Sequence, residues 1–316
     1  MEASGRRTVH RSTGPPPSSS LVPGEGLPNI RAMPDLSSSA TAVELAQWVL
    51  MAIGLGLIGV WFFVPRLQPL RRQPAHLPAW DAPLVDSLLV CWVSVCAMLV
   101  CSLAAGSIAR QLGLGTSDGW VSVLSVCGFQ GAMIVSVVAF ALYRRSVGRP
   151  LPRLGRNPPA PAIDRLLLGA AVFLGALPLV GAASAASTAV LEFFGLPVVQ
   201  QDLANLFATT KSAPLLLVLT FMAIVVAPLG EELIFRAGVF RISRRYLPRW
   251  AALLLSGVAF ASLHLSAVHF LPLVVLGLVF ALAYEKTGSL LVPVVAHGLF
   301  NLNSIVRLLA GLGGNS

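Results

Sequence analysis

Long runs of apolar residues dominate the chain from residue 42 onward. Each run holds about 17–25 residues, which as an α-helix reaches, or nearly reaches, across roughly 30 Å of hydrocarbon. The pattern predicts about eight spans, at residues 42–64, 84–106, 120–143, 166–190, 214–240, 250–266, 269–284 and 289–310. The sixth and seventh are short and closely joined. No long alternation of apolar and polar residues indicates a β-barrel, so we expect an all-α, polytopic membrane protein.

The composition agrees with this pattern and narrows the class of protein. Hydrophobic residues make up 56% of the chain and charged residues only 11%, against about 25% charged residues in soluble domains. The net charge of +9 does not indicate a nucleic-acid partner, because the basic residues lie in short loops between apolar runs. We therefore expect an integral, multi-pass protein of the lipid bilayer, located in the cytoplasmic (inner) membrane if the protein is bacterial.

The basic residues also predict an orientation. They concentrate in the odd-numbered loops between spans, for example at Arg144, Arg145 and Arg149, whereas the even-numbered loops hold only Arg110 and Lys211. Because Lys and Arg gather in cytoplasmic loops, the odd-numbered loops are expected in the cytoplasm and both termini outside.

The chain divides into three parts by composition. Residues 1–41 are rich in Ser, Pro, Gly and Arg and bury too little apolar surface to fold alone, so we expect a disordered tail. Residues 42–210 carry almost no ionisable groups in the centres of their spans and are interpreted as a scaffold of N-terminal transmembrane helices. The polar candidates lie in residues 211–312, which are predicted to form the membrane domain that carries the chemistry.

Charged residues inside a membrane span are costly, which makes those of the fifth span candidates for function. The segment reads VVAPLGEELIFRAGVF, and Pro228 with Gly230 predicts a helix that is interrupted and then restarts. Glu231 and Glu232 would fall in the first turn of the restarted helix, where the helix dipole favours carboxylates. Glu232 and Arg236 share a face and are expected to form an ion pair. Glu231 points elsewhere, has no local partner and suits proton transfer.

Two further pairs follow at helical spacing, Phe260 with His264 and His297 with Asn301. Four residues apart, the members of each pair share one helix face. Counted from the cytoplasmic ends at about 1.5 Å per residue, Glu231 lies roughly 14 Å deep, His264 roughly 21 Å, His297 roughly 12 Å and Asn301 roughly 18 Å. These four groups are therefore predicted to occupy one layer near the bilayer centre.

Three kinds of chemistry fit such a layer. A carboxylate and an imidazole can deprotonate a water, while a second imidazole and an amide donate hydrogen bonds to the oxyanion of a peptide carbonyl. One Glu and two His are also ligand types of a catalytic zinc, although no HExxH occurs. Intramembrane Glu and His residues also build the proton relays of ion-coupled transporters, although the chain shows no obvious inverted repeat.

The three motifs together resemble the signature of a known family. EExxxR at Glu231, FxxxH at Phe260 and HxxxN at His297 occur in the order and spacing of the CAAX protease and bacteriocin-processing family, also called the Abi family. The resemblance covers about residues 214–310. It implies an intramembrane endopeptidase of eight-helix type, with a cavity open to the cytoplasm, that cleaves a membrane-anchored peptide or protein.

The resemblance also implies roles for single residues. The glutamate-dependent mechanism of the family needs no cofactor, which leaves zinc as the minor alternative. Some members act without catalysis, so an immunity or binding protein of the membrane is a further alternative. The implied roles are water activation by Glu231 and His264, oxyanion binding by His297 and Asn301, and support by Glu232, Arg236 and Phe260.

Overall fold

The structure is a computed structural model of the 316-residue chain. It describes residues 36–67, 77, 79–114, 119–151, 154–155, 161–196, 207, 210 and 212–312. Most of the predicted tail, residues 1–35, lies outside the described residues, and its remaining part, residues 36–41, is helical. The division of the chain into tail, scaffold and chemical domain stays a prediction.

Long helices make up nearly all of the described chain. They are α1 (Leu36–Phe63), α2 (Leu84–Gln111), α3 (Trp120–Ser146), α4 (Ala162–Phe193), α5 (Ala213–Tyr246), α6 (Arg249–Ser262), α7 (Ala267–Thr287) and α8 (Leu291–Leu309). Among the described residues, seven of these helices are long and apolar enough to cross a membrane, and no residue is in a strand. The prediction of an all-α, multi-pass membrane protein is confirmed.

The sixth helix is shorter than predicted. It has 14 residues, or about 21 Å, less than the roughly 30 Å of hydrocarbon. The chain leaves the helix after Ser262 and passes through Leu265, whose φ of 48° is unusual for a residue with a side chain. Ser266 then caps α7 by accepting a hydrogen bond from the backbone N–H of His269 at 3.4 Å. The predicted eight spans are thus seven long helices and one short one, and His264 lies in a turn.

Contacts at the helix ends show that the first, third and fifth loops share one side of the molecule. Before α2, the backbone N–H of Trp80 donates to the carbonyl of Arg241 near the end of α5, at 3.1 Å. Arg144, in the last turn of α3, donates to the carbonyl of Asp81 at 2.5 Å. This arrangement is what the distribution of basic residues predicted, while the assignment of that side to the cytoplasm stays a prediction.

Packing differs between the two halves of the bundle. Helices α2 and α3 pack mainly on each other, whereas α4 contacts α1, α7 and α8. The largest buried cluster joins α4 to α8 and includes Phe173, Phe235, Phe260 and Phe280. Helices α6 and α7 cross closely, since a Cβ at Gly277 would lie 2.7 Å from the Cα of Gly257. This crossing brings Phe260 and Phe280 to the same side of α5.

Candidate active site

Helix α5 carries the glutamate pair without a break. Its backbone stays right-handed helical on both sides of Pro228, and two wider π-helical stretches, Met222–Val226 and Leu233–Phe240, flank the motif. The predicted restart of the helix was wrong, because the wider stretch before the proline accommodates its ring. Glu231 and Glu232 consequently lie in a helix interior, where no helix terminus stabilises their charges.

Pro228 instead exposes one backbone carbonyl of α5. In the π-helical stretch the backbone N–H of Ala227 donates to the carbonyl of Met222. In the same π-helical pattern, the carbonyl of Ala223 would accept a hydrogen bond from the backbone N–H of residue 228. That residue is Pro228, which has no N–H, so the carbonyl is left without a backbone donor. The side-chain amide of Asn301 fills this position and donates to the carbonyl of Ala223 at 2.8 Å.

A glycine lets α8 approach α5 closely enough for this bond. A Cβ at Gly298 would lie 2.6 Å from the carbonyl oxygen of Ile224, so no residue with a side chain fits there without displacing one helix. Pro228 and Gly298 together therefore dock the helix of the HxxxN motif against the helix of the glutamates.

The predicted ion pair between Glu232 and Arg236 is confirmed. Arg236 Nη1 lies 2.9 Å from Glu232 Oε1, and both side chains are 0% exposed. His297 Nδ1 lies 3.0 Å from the same oxygen. A buried charge is tolerated only when it is paired and hydrogen-bonded, and the three side chains supply part of that pairing to one another. Glu232 Oε2 and Arg236 Nε have no hydrogen-bond partner among the described residues.

Aromatic rings surround the buried guanidinium of Arg236. Its Cζ lies 4.5 Å from the ring centroid of Phe260 and 5.4 Å from that of Phe280. Its Nη2 donates to the carbonyl of Gly277 at 3.4 Å. Cation–π attraction is strongest where the cation is removed from water, so the rings stabilise Arg236 and fix its direction.

Glu231 is positioned differently from Glu232. Its side chain is 13% exposed, and its Oε2 lies 3.8 Å from His297 Nε2, which is longer than a hydrogen bond. That oxygen accepts no hydrogen bond within the described part of the chain. Two carboxylates here face one guanidinium, so Arg236 can balance the charge of only one of them.

Phe260 connects the two histidines. Its ring centroid lies 5.0 Å from that of His264 and 5.6 Å from that of His297. His264 Nδ1 lies 3.0 Å from the carbonyl oxygen of Phe260. A proton on Nδ1 satisfies that contact and leaves the basic lone pair on Nε2.

The structure therefore brings the predicted residues together, some by direct contact and others through an intervening group. Glu231, Glu232, Arg236 and His297 form one polar network, while His264 joins it through the ring of Phe260. Asn301 joins it through α5, because its amide donates a hydrogen bond to the backbone about two turns before the glutamates. The motifs did not indicate the hydrogen bond from Asn301 to the backbone of α5, nor the position of His264 in a turn.

Two contributors to the site were missed in the sequence. Phe280 packs on His297 with ring centroids 5.3 Å apart, and Gly277 supplies a carbonyl to Arg236. Their segment, GLVFA, reads as an ordinary apolar span. Its small residues, Gly277 and Ala281, were the available signal, since small residues four apart mark close helix packing in membranes.

The described residues contain no group of three or more His, Cys, Asp or Glu side chains that could hold a metal ion. Glu231 Oε2 and His297 Nε2 lie 3.8 Å apart and are only two of the three or more ligands that such a site needs. The expectation that no cofactor is needed stays a prediction.

Comparison with known proteins shows a family likeness for the segment that holds this network. Residues 213–303 match the model of the type II CAAX prenyl endopeptidases, described as Rce1-like. This segment is therefore similar to the CAAX protease family. The matched segment runs from the start of α5 into α8 and contains every residue of the network described above.

A curated relative also resembles the chain. It is the "Putative membrane peptidase YdiL" of Bacillus subtilis (strain 168), 27% identical over 116 residues, which are 37% of this chain and 46% of the relative. The match thus spans just under half of that protein's length. No solved structure matches the chain. The family and the relative both indicate a membrane peptidase domain.

Proposed function

We propose that the protein is an intramembrane endopeptidase that hydrolyses a peptide bond of a membrane-associated substrate from the cytoplasmic side, using a water activated by Glu231. The observation that carries the proposal is the position of the Glu231 carboxylate. It is slightly exposed, 3.8 Å from His297 and next to a fully buried ion pair. Such a carboxylate can contact a water molecule, while the groups on its other side are charged and buried.

In the first step, Glu231 takes a proton from the water as its oxygen attacks the carbonyl carbon of the peptide bond. His264 positions that water through Nε2, since its Nδ1 faces the carbonyl of Phe260. The C=O bond becomes a C–O⁻ bond, and the charge on the oxygen needs hydrogen-bond donors. The Nε2 side of His297 and the second N–H of the Asn301 amide are the donors that we assign to this oxyanion.

In the second step, the oxyanion collapses and the C–N bond breaks. The proton that Glu231 took from the water passes to the leaving nitrogen, so the products are a carboxylic acid and an amine, and Glu231 is again a carboxylate. Glu232 and Arg236 hold no reacting atom. Glu232 orients the His297 ring through the 3.0 Å contact with Nδ1, and Arg236 fixes Glu232.

The test uses purified protein in lipid nanodiscs and quenched-fluorescent peptides in which a prenylated cysteine is followed by three C-terminal residues, with a lipid-anchored set that lacks the prenyl group. We expect Glu231→Gln to lower turnover at least about 100-fold, because general-base catalysis contributes that much. Glu192→Gln is the matched control, since Glu192 is an exposed carboxylate near the end of α4. Equal turnover by wild type and Glu231→Gln would remove the assignment.

Two further experiments distinguish the proposed mechanism from a metal-dependent mechanism and from a transporter. Turnover that a strong chelator abolishes and added zinc restores would replace the glutamate mechanism with a metal mechanism. Proton flux in liposomes that depends on Glu231, with no product peptide from either peptide set, would identify a transporter instead.

A further inference from the structure

A polar pocket lies between the ends of α2 and α3, outside the catalytic network. It encloses about 300 Å³ and is lined by Asp86, Tyr143, Arg144, Val147 and Arg149. Asp86 belongs to the first turn of α2, and the other residues lie at or just beyond the last turn of α3. The pocket is therefore at the end of two membrane helices, on the side where the odd-numbered loops meet.

The turn that ends α3 fixes the two arginines next to each other. Gly148 has a φ of 70°, and its backbone N–H donates to the carbonyl of Arg145 at 3.1 Å. The backbone N–H of Arg149 donates to the carbonyl of Arg144 at 2.9 Å. These two bonds form a Schellman motif, which turns the chain back and holds Arg149 at the helix end.

The charges of the pocket are not neutralised by one another. Arg144 is only 4% exposed, and its buried Nε has no hydrogen-bond partner in the part of the chain that the structure describes. Arg149 is exposed. Within the same described ranges, Asp86 forms no ion pair with either arginine. The pocket thus offers two guanidinium groups from α3 and one carboxylate from α2, with space between them.

Apolar side chains continue from this pocket along the outside of the bundle. Val85 and Leu88 on α2 and Leu142 on α3 are all at least 60% exposed. Tyr143, which lines the pocket, is 52% exposed, and tyrosine is typical of the boundary between headgroups and acyl chains. A ligand of this pocket can therefore have a polar end inside it and apolar chains outside it.

We propose that this pocket binds the headgroup of a phosphoethanolamine-type phospholipid. The phosphate contacts the guanidinium groups of Arg144 and Arg149, which suit a tetrahedral oxyanion, and the primary ammonium contacts the carboxylate of Asp86. The acyl chains lie on the exposed apolar side chains. A headgroup with a phosphate and no cation leaves Asp86 facing negative charge, so the site distinguishes the two classes of lipid.

Native mass spectrometry of the full-length protein tests this inference with phosphatidylethanolamine and phosphatidylglycerol as probes. We expect Arg149→Ala to weaken retention of phosphatidylethanolamine about tenfold, because a charge-assisted contact is lost. Arg145→Ala is the matched control, since Arg145 is exposed on the same turn and outside the pocket; it should stay within about twofold of wild type. Asp86→Asn should abolish the preference for phosphatidylethanolamine over phosphatidylglycerol.

Three results would overturn the inference: no retained phosphatidylethanolamine, equal loss in the two arginine variants, or an unchanged lipid preference in Asp86→Asn. The preference is a ratio within one variant, so it does not depend on how much folded protein is recovered. Soluble glycerophosphoethanolamine provides the last arm. If it displaces the bound lipid at equal concentration, the site recognises a soluble phosphate ester and not a membrane lipid.

Discussion

The first three helices and the last four differ in what surrounds them, although most of them are strongly apolar. In the apolar stretch of α1, only 6% of the residues are buried within the protein, against 50% in the apolar stretch of α7. Helices α1 to α3 direct Leu, Val and Trp side chains outward, whereas α5 contains two fully buried arginines, Arg236 and Arg241. A lipid-facing helix needs only to be apolar, but a helix that carries charges must be enclosed by neighbours that pair them.

The largest expected effect follows from removing one partner of the enclosed charges. Arg236→Met leaves Glu232 buried beside His297 without its guanidinium, and we expect the free energy of unfolding to fall by about 3–5 kcal/mol. Titration of the protein in mixed micelles with a denaturing detergent measures this. Arg245→Met is the control on the same helix, because the Arg245 pair with Asp81 is largely exposed and costs less than about 1 kcal/mol. Equal losses would show that the comparison of the two regions is wrong.

A smaller loss of stability is expected when a glycine at a close helix contact is replaced by alanine, and a second glycine in open surroundings provides the comparison. Gly298→Ala places a Cβ against the carbonyl of Ile224 and must separate α8 from α5, which costs about 1–3 kcal/mol. Gly131→Ala on α3 meets nothing within 4 Å, and we expect a change smaller than about 1 kcal/mol. The same detergent titration compares them. A Gly298→Ala protein as stable as Gly131→Ala would mean that the close contact between α5 and α8 is not required.

The smallest effect concerns the one polar link that we describe between α1 and α8. The side-chain amides of Gln47 and Asn303 bond reciprocally, at 2.6 and 3.2 Å. A double-mutant cycle with Gln47→Leu and Asn303→Leu should give a coupling energy of about 0.6 kcal/mol, the usual value for such bonds in membranes. A coupling energy of several kcal/mol would show that α1 belongs energetically to the enclosed region.

The sequence was sufficient for the features that depend on one helix or on composition. The apolar runs predicted the class of fold, and the spacing of Glu232 and Arg236 predicted their ion pair. The sequence was not sufficient where one helix meets another. The contact of His297 with both glutamates, the packing of Phe280 and the end of α6 before His264 depend on how α5 to α8 cross, and an apolar run looks the same whichever helix it touches.

The bond between Asn301 and Ala223 makes two distant motifs depend on each other. The carbonyl of Ala223 is available to Asn301 because residue 228 contributes no backbone donor. With any other amino acid at that position, the helix itself would compete for the carbonyl and the amide would be released. Because the proline lacks a backbone donor, a side chain from another helix supplies the hydrogen bond to the carbonyl of Ala223. This bond fixes the position along α5 at which α8 places His297 beside the glutamates.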